Sequence, residues 1–205
     1  MSESEAQVTE LTNGIRVVSD KMESVESVSM GAWFGIGTRN ESVSVNGVAH
    51  VLEHMAFKGT KKRRASEIAE EIELVGGHLN AYTSREQTAY YAKLLKDDIG
   101  LGIDILADIL QNSTFEEEEL ERERSVILQE IGQAADTPDD IIFDHFQATA
   151  YPGQALGRPV LGTADIVGKI SRNTVITVSY THLRAHETRE DLGLRREVEK
   201  KKGGG

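Results

Sequence analysis

The segment Val48-Ala49-His50-Val51-Leu52-Glu53-His54-Met55-Ala56-Phe57 constrains the fold more than any other part of the chain. A helix through it, beginning near Asn46, is apolar on nearly every side and so expects burial all round. Yet three ionisable residues stand in its middle. His50, Glu53 and His54 fall at i, i+3 and i+4, which puts both imidazoles and the carboxylate on one face. Buried polar groups need partners. Two imidazoles one turn apart match the bite of a tetrahedral zinc ion, although two hydrogen-bonded core histidines would satisfy the same five residues.

The 205 residues include no cysteine, so disulfides and thiolate metal sites are excluded. A zinc ion would have to be held by His, Asp or Glu. A hydrophobic fraction of 39% in a chain of this length suits one domain with a substantial core. No stretch approaches the roughly 18–20 apolar residues of a membrane span, so no membrane partner is expected. The acidic opening Met1-Ser2-Glu3-Ser4-Glu5 resembles neither a secretory signal nor a transit peptide, which points to a protein that stays where it is made. The net charge of −11 argues against nucleic acid and, among peptides, for basic ones.

Val8 to Leu11 and Ile15 to Ser19 flank Asn13-Gly14, a strong hairpin signal. Ser27 to Ile36 alternates as a strand, and His78 to Ser84 with Thr88 to Leu95 reads as a second strand pair. Helices are expected from Ala65 to Val75, ended by Gly76-Gly77, from Asp97 to Leu110, from Glu116 to Ala134, from Pro138 to Ala148 and from Ala164 to Ile170. Lys61 to Arg64 is expected to be a solvent-exposed basic loop. Without a steady βαβ rhythm the class is α+β, with mainly antiparallel strands and helices packed on one face. The character changes after Ile176. Residues 177–205 have no clear period, run into charged residues and end in three glycines, as a translated sequencing adapter or a disordered basic tail would.

In the helix from Glu116 to Ala134, Leu120, Ile127, Ile131 and Ala134 form an apolar stripe. Glu123 and Glu130 lie at its edge, nearly superposed along the axis. A glutamate beside a core needs a reason, either a metal or an ion pair with Arg124 or a nearby lysine.

Three segments carry a resemblance: Gly47 to Thr60, Gly76 to Thr88 and Glu123 to Ile131. In this order and spacing they resemble the pitrilysin/insulinase zinc peptidases, in the branch of the processing-peptidase β-subunits and their bacterial homologues. The resemblance covers residues 8–176. It implies His50, His54 and Glu130 as zinc ligands, Glu53 as general base and Glu123 as a supporting acid. It also implies Leu79, Asn80, Ala81, Tyr82 and Thr83 as an edge strand on which an extended peptide docks. The implied protein is a zinc metalloendopeptidase, in a bacterial cytoplasm, with 1–176 an incomplete N-terminal catalytic domain and 177–205 outside the family. Members of the branch close a second domain over the first, so full activity is expected to need a C-terminal domain or a homologous subunit. A non-catalytic metal-binding or structural subunit is the alternative.

Overall fold

The computed structural model describes residues 6–184, with the side chains of 182–184 left aside; most of the segment expected to lie outside the family therefore falls beyond the described residues. The Asn13-Gly14 turn joins β1 (Gln7–Glu10) to β2 (Arg16–Ser19), and this hairpin stands as its own two-stranded sheet with every residue exposed. The central sheet is antiparallel, in the order β3 (Ser27–Phe34), β5 (Thr88–Leu95), β4 (His78–Thr83). Its register sets Gly31 opposite Tyr91 and Ala81 opposite Tyr90. Both β3 and β4 are edges of this sheet.

The β4–β5 turn is pinned by the segment after β3. Thr38 and Arg39 donate their backbone N–H groups to the carbonyls of Ser84 and Arg85 at 3.0 and 2.9 Å. Gly37 makes that approach possible, because a Cβ there would lie 2.4 Å from the Ser84 carbonyl oxygen.

Seven helices complete the described fold: α1 (Val48–Ala56), α2 (Ala65–Leu74), α3 (Ile99–Asn112), α4 (Glu117–Asp136), α5 (Pro138–Ala150), α6 (Ala164–Val167) and α7 (Arg172–Val178). Helix α2 stops as expected. Gly76 takes φ +66, and the N–H groups of Gly76 and Gly77 bond the carbonyls of Glu73 and Ile72 in a Schellman cap. One core forms where α2, α3 and the end of α1 cover a single face of the central sheet, around Ile68, Ile72, Tyr90, Leu94, Ile105 and Ile109. The other forms where α1 meets α4, α6 and α7, around Val51, Met55, Leu120, Ile127, Val167 and Val175. Helix α1 belongs to both. This is the expected α+β arrangement with helices on one face of the sheet.

The segment from Arg172, for which no element was expected, is helical: α7 is capped by the Ser171 hydroxyl and runs across residue 176, with Val175 fully buried against α1. The expected exposure of the basic loop holds for Lys61, Lys62 and Arg64 but not for Arg63. The Arg63 side chain is only 13% exposed and pairs with Glu71, Asp104 and Asp108.

Asp108 is 1% exposed and also accepts from Thr60 Oγ1 at 2.7 Å and Asn112 Nδ2 at 2.9 Å. Burial raises its pKa, but these donors together with Arg63 outweigh that and hold the carboxyl below its ordinary value. Its contribution to stability is therefore present above the unfolded pKa of 3.8 and is lost as pH falls through the lower folded value. Asp108→Ala, which strands these donors, is expected to cost about 3 kcal/mol in urea unfolding. A loss under about 1 kcal/mol would mean that the network behaves as a surface pair.

Candidate metal centre

Helix α1 buries Val48, Val51, Leu52 and Met55, and this packing fixes where its polar face points. His50 is 9% exposed, while Glu53 and His54 are half-buried on the side facing β4 and α4. Helix α4 presents Glu130 to the same space. His50 Nε2 lies 3.7 Å and His54 Nε2 3.5 Å from Glu130 Oε2. These separations are too long for hydrogen bonds. They are close to the edge of a tetrahedron with metal–ligand bonds of ~2.1 Å, which is about 3.4 Å. One ligand atom from each of His50, His54 and Glu130 lies within 4.8 Å of the others, the one such group among the described residues. Two imidazoles and a carboxylate that converge without bonding one another are a donor set that fits a zinc ion.

The other ring nitrogens meet different fates. His54 Nδ1 donates to Glu123 Oε2 at 3.0 Å, and Lys58 Nζ donates to Glu123 Oε1 at 2.7 Å. Burial opposes the charge on Glu123, but Lys58 and His54 outweigh it and hold the carboxyl below its ordinary value. An ionised Glu123 accepts the Nδ1 proton of His54, which leaves Nε2 as the ring nitrogen on the side of Glu130. Arg124, considered from the sequence as the partner of Glu123, instead reaches the carbonyl of Ile170 and Glu121. His50 Nδ1 is buried without a partner among the described residues, and its ring stands edge-on to that of His54 at 4.6 Å.

Glu53 sits beside this centre with Oε2 buried and without a hydrogen bond among the described residues. Burial pushes its pKa up, against the pull of the Thr83 hydroxyl and of His54, and Glu130 adds to the rise. Thr83 Oγ1 and Glu53 Oε2 both stop short of hydrogen-bond geometry, so their interaction is electrostatic.

Leu79 to Thr83 all lie in β4, at the open edge of the sheet. Leu79, Ala81 and Thr83 turn toward the helices, and Asn80 and Tyr82 turn outward. The Ala81 N–H donates to Asn80 Oδ1 at 2.8 Å instead of crossing to β5. By the alternation of an antiparallel ladder, the backbone groups of Leu79, Ala81 and Thr83 face the open edge. His78, in the same strand, is exposed and apart from the centre, and Tyr90 packs fully buried beneath α1 against Phe57. The nearby lysine that the sequence offered as a partner for Glu123 is Lys58, two residues beyond the end of α1.

A family model described as insulinase (peptidase family M16) matches residues 16–164. The chain belongs to this family. It is 48% identical over 185 residues to a protein of Arabidopsis thaliana named probable mitochondrial-processing peptidase subunit beta, covering 90% of this chain and 35% of that protein. It is 43% identical over 178 residues to an uncharacterized zinc protease of Rickettsia bellii, covering 87% of this chain and 43% of that protein. Among solved structures, a protease from Helicobacter pylori superposes with a TM-score of 0.83 at 25% identity, over 88% of this chain and 44% of the other. The M16 chain thus spans less than half the length of these relatives.

In this M16 chain, burial and the adjacent His54 lower the pKa of His50 from 6.5 to about 4. The ring is therefore neutral at pH 7, and stability linked to it is present above pH 6.5 and lost as pH falls through about 4. NMR titration of the metal-free protein is expected to find the His50 midpoint near pH 4. A midpoint at the ordinary value would mean that water reaches the ring freely.

Proposed function

We propose that this chain is the zinc-binding part of a metalloendopeptidase that cleaves extended or unfolded peptides. The observation that carries the reading is the convergence of His50 Nε2, His54 Nε2 and Glu130 Oε2, with the free Oε2 of Glu53 on the same helix. These three residues are the proposed ligands, and Glu123 orients His54 from behind. A zinc ion held there would act as a Lewis acid on a scissile carbonyl and bring the pKa of water at the site to about 7.

Glu53 is the proposed general base. Its carboxylate would take a proton from the attacking water; Oε2 has no hydrogen-bond partner among the described residues, and the raised pKa brings the group closer to neutral pH, where such a base works best. The same carboxyl then returns the proton to the leaving amine nitrogen. The substrate is proposed to pair with the open edge of β4, where the outward-facing backbone groups of Leu79, Ala81 and Thr83 bind main chain rather than side chains. Ala81 would release Asn80 Oδ1 to do so. Main-chain pairing suits extended peptides of many sequences, and the acidic charge balance favours basic ones.

Because the chain covers 35% of its plant relative, we propose that contacts stabilising the transition state come from a C-terminal domain or a homologous subunit. Residues 1–176 are the proposed family domain and 177–205 a segment outside it. A bacterial cytoplasm is the proposed setting; the rickettsial relative is bacterial, while the plant relative is named as mitochondrial.

Zinc per chain and cleavage of a quenched basic peptide, measured in wild type and in Glu53→Gln, test the reading. About one zinc in both, with turnover lowered by about 10²–10⁴ in the variant, is expected. A wild type without zinc sinks it. If the chain binds zinc and cleaves nothing, the same assays on a form extended to the length of its relatives separate a peptidase from a non-catalytic subunit.

A further inference from the structure

Glu41 lies in the polar segment before α1 and is only 6% exposed. Its carboxylate makes no ion pair among the described residues; instead it accepts three hydrogen bonds from the start of α1. Asn46 Nδ2 and the Gly47 N–H reach Oε2 at 2.9 and 2.8 Å, and the Ala49 N–H reaches Oε1 at 2.7 Å. Asn46, itself 1% exposed, also donates to the carbonyl of Pro159 at 3.3 Å.

The reason for this arrangement lies one residue before the helix. The N-cap position is Gly47, at φ +97, and it has no side chain with which to cap. Nor can it carry one, since a Cβ there would lie 2.6 Å from the Leu161 carbonyl oxygen. The loop that presses on Gly47 approaches just as closely from its own side, where a Cβ on Gly162 would lie 2.4 Å from the Asn46 carbonyl oxygen. The first turn of a helix leaves N–H groups unsatisfied, and a cap normally supplies their acceptor locally. Here the acceptor comes from a distance, and its negative charge sits at the favourable end of the helix dipole.

His50 directly follows Ala49, within this first turn, and its Nδ1 has no hydrogen-bond partner among the described residues. His54, by contrast, is tied to Glu123. The backbone of the first turn and the packing around the ring are therefore what hold His50 in register with Glu130. We propose that Glu41 is a positioning residue for the metal centre, holding the first turn of α1 so that His50 Nε2 meets His54 Nε2 and Glu130 Oε2. This inference rests on the metal-binding reading above.

Gln at this position keeps the length of the side chain but replaces one acceptor oxygen with a donor, leaving at least one of the three incoming N–H groups without an acceptor. Asp keeps both oxygens on a shorter arm. The test is a cobalt(II) titration of the 205-residue chain, followed by visible absorption, on wild type, Glu41→Gln and Glu41→Asp, with thermal melts of each to report folding. Wild type is expected to take up one cobalt with the intense bands of a tetrahedral-type site. Glu41→Gln is expected to melt cooperatively, to bind cobalt about tenfold more weakly and to show altered bands, with Glu41→Asp in between. A folded Glu41→Gln with wild-type affinity and bands overturns the proposal. If Glu41→Gln does not melt cooperatively, Glu41→Asp decides alone, and wild-type behaviour there overturns it. Wild type that takes up no cobalt overturns the metal-centre reading itself, and this inference with it.

Discussion

Everything in the structure depends on the burial of α1 from two sides. Val48, Val51, Leu52 and Met55 enter the core shared with α4, α6 and α7, while Ala56 enters the core under the sheet. Fully burying each large apolar side chain contributes about 1.5–3 kcal/mol. Leaving one buried polar atom without a partner costs about 1–3 kcal/mol. The apolar faces therefore decide where the helix lies, and its polar strip has to accept the surroundings that result. Those surroundings are a gap between β4 and α4, bordered by Glu53, Glu123 and Glu130, with the one ammonium of Lys58 set behind Glu123. Two imidazoles and the carboxylate of Glu130 face one another there without hydrogen bonds between them.

The second constraint is the seven-residue spacing of Glu123 and Glu130 along α4. It puts two carboxylates on nearly the same line of the helix, one turned into the protein and one toward the opening. Glu123 is 7% exposed and fully engaged, whereas the Glu130 side chain is 38% exposed and makes no hydrogen-bond-length contact with either histidine. Depth along a single helix thus separates two chemically identical groups into a support and a candidate ligand.

Periodicity made the strands, α1 and the capped end of α2 legible, because each is written in residues next to one another. The long-range pairings were not. That α1 faces Glu130 across the site came from the order of three motifs resembling a family, since no local pattern says which helix packs on which. Arg63 looked solvated like the rest of its loop because Glu71, on the next helix, and Asp104 and Asp108, far along the chain, could not be seen to converge on it. Helix α7 was missed for the opposite reason. Thr174, Val175, Ile176, Thr177 and Val178 are β-branched and read poorly as helix, yet burial of Val175 against α1 outweighs that preference. Ser171, whose hydroxyl accepts from the Thr174 N–H, was the visible start signal.

The two candidate histidine ligands are held by opposite means, and the reason is where each sits on α1. His54 stands near the C-terminal end, within reach of Lys58 one turn on and of Glu123 on α4, so a chain of charged side chains can orient its ring directly. His50 stands in the first turn, just after Gly47, whose backbone the loop containing Leu161 and Gly162 crowds, and its Nδ1 has no hydrogen-bond partner among the described residues. A ring without a hydrogen-bonded partner is oriented only as well as its backbone and its packing are fixed. That makes the rigidity of the helix start part of the site's geometry, and it makes a capping interaction, usually worth only about 1 kcal/mol of stability, matter more to this centre than its energy alone would suggest.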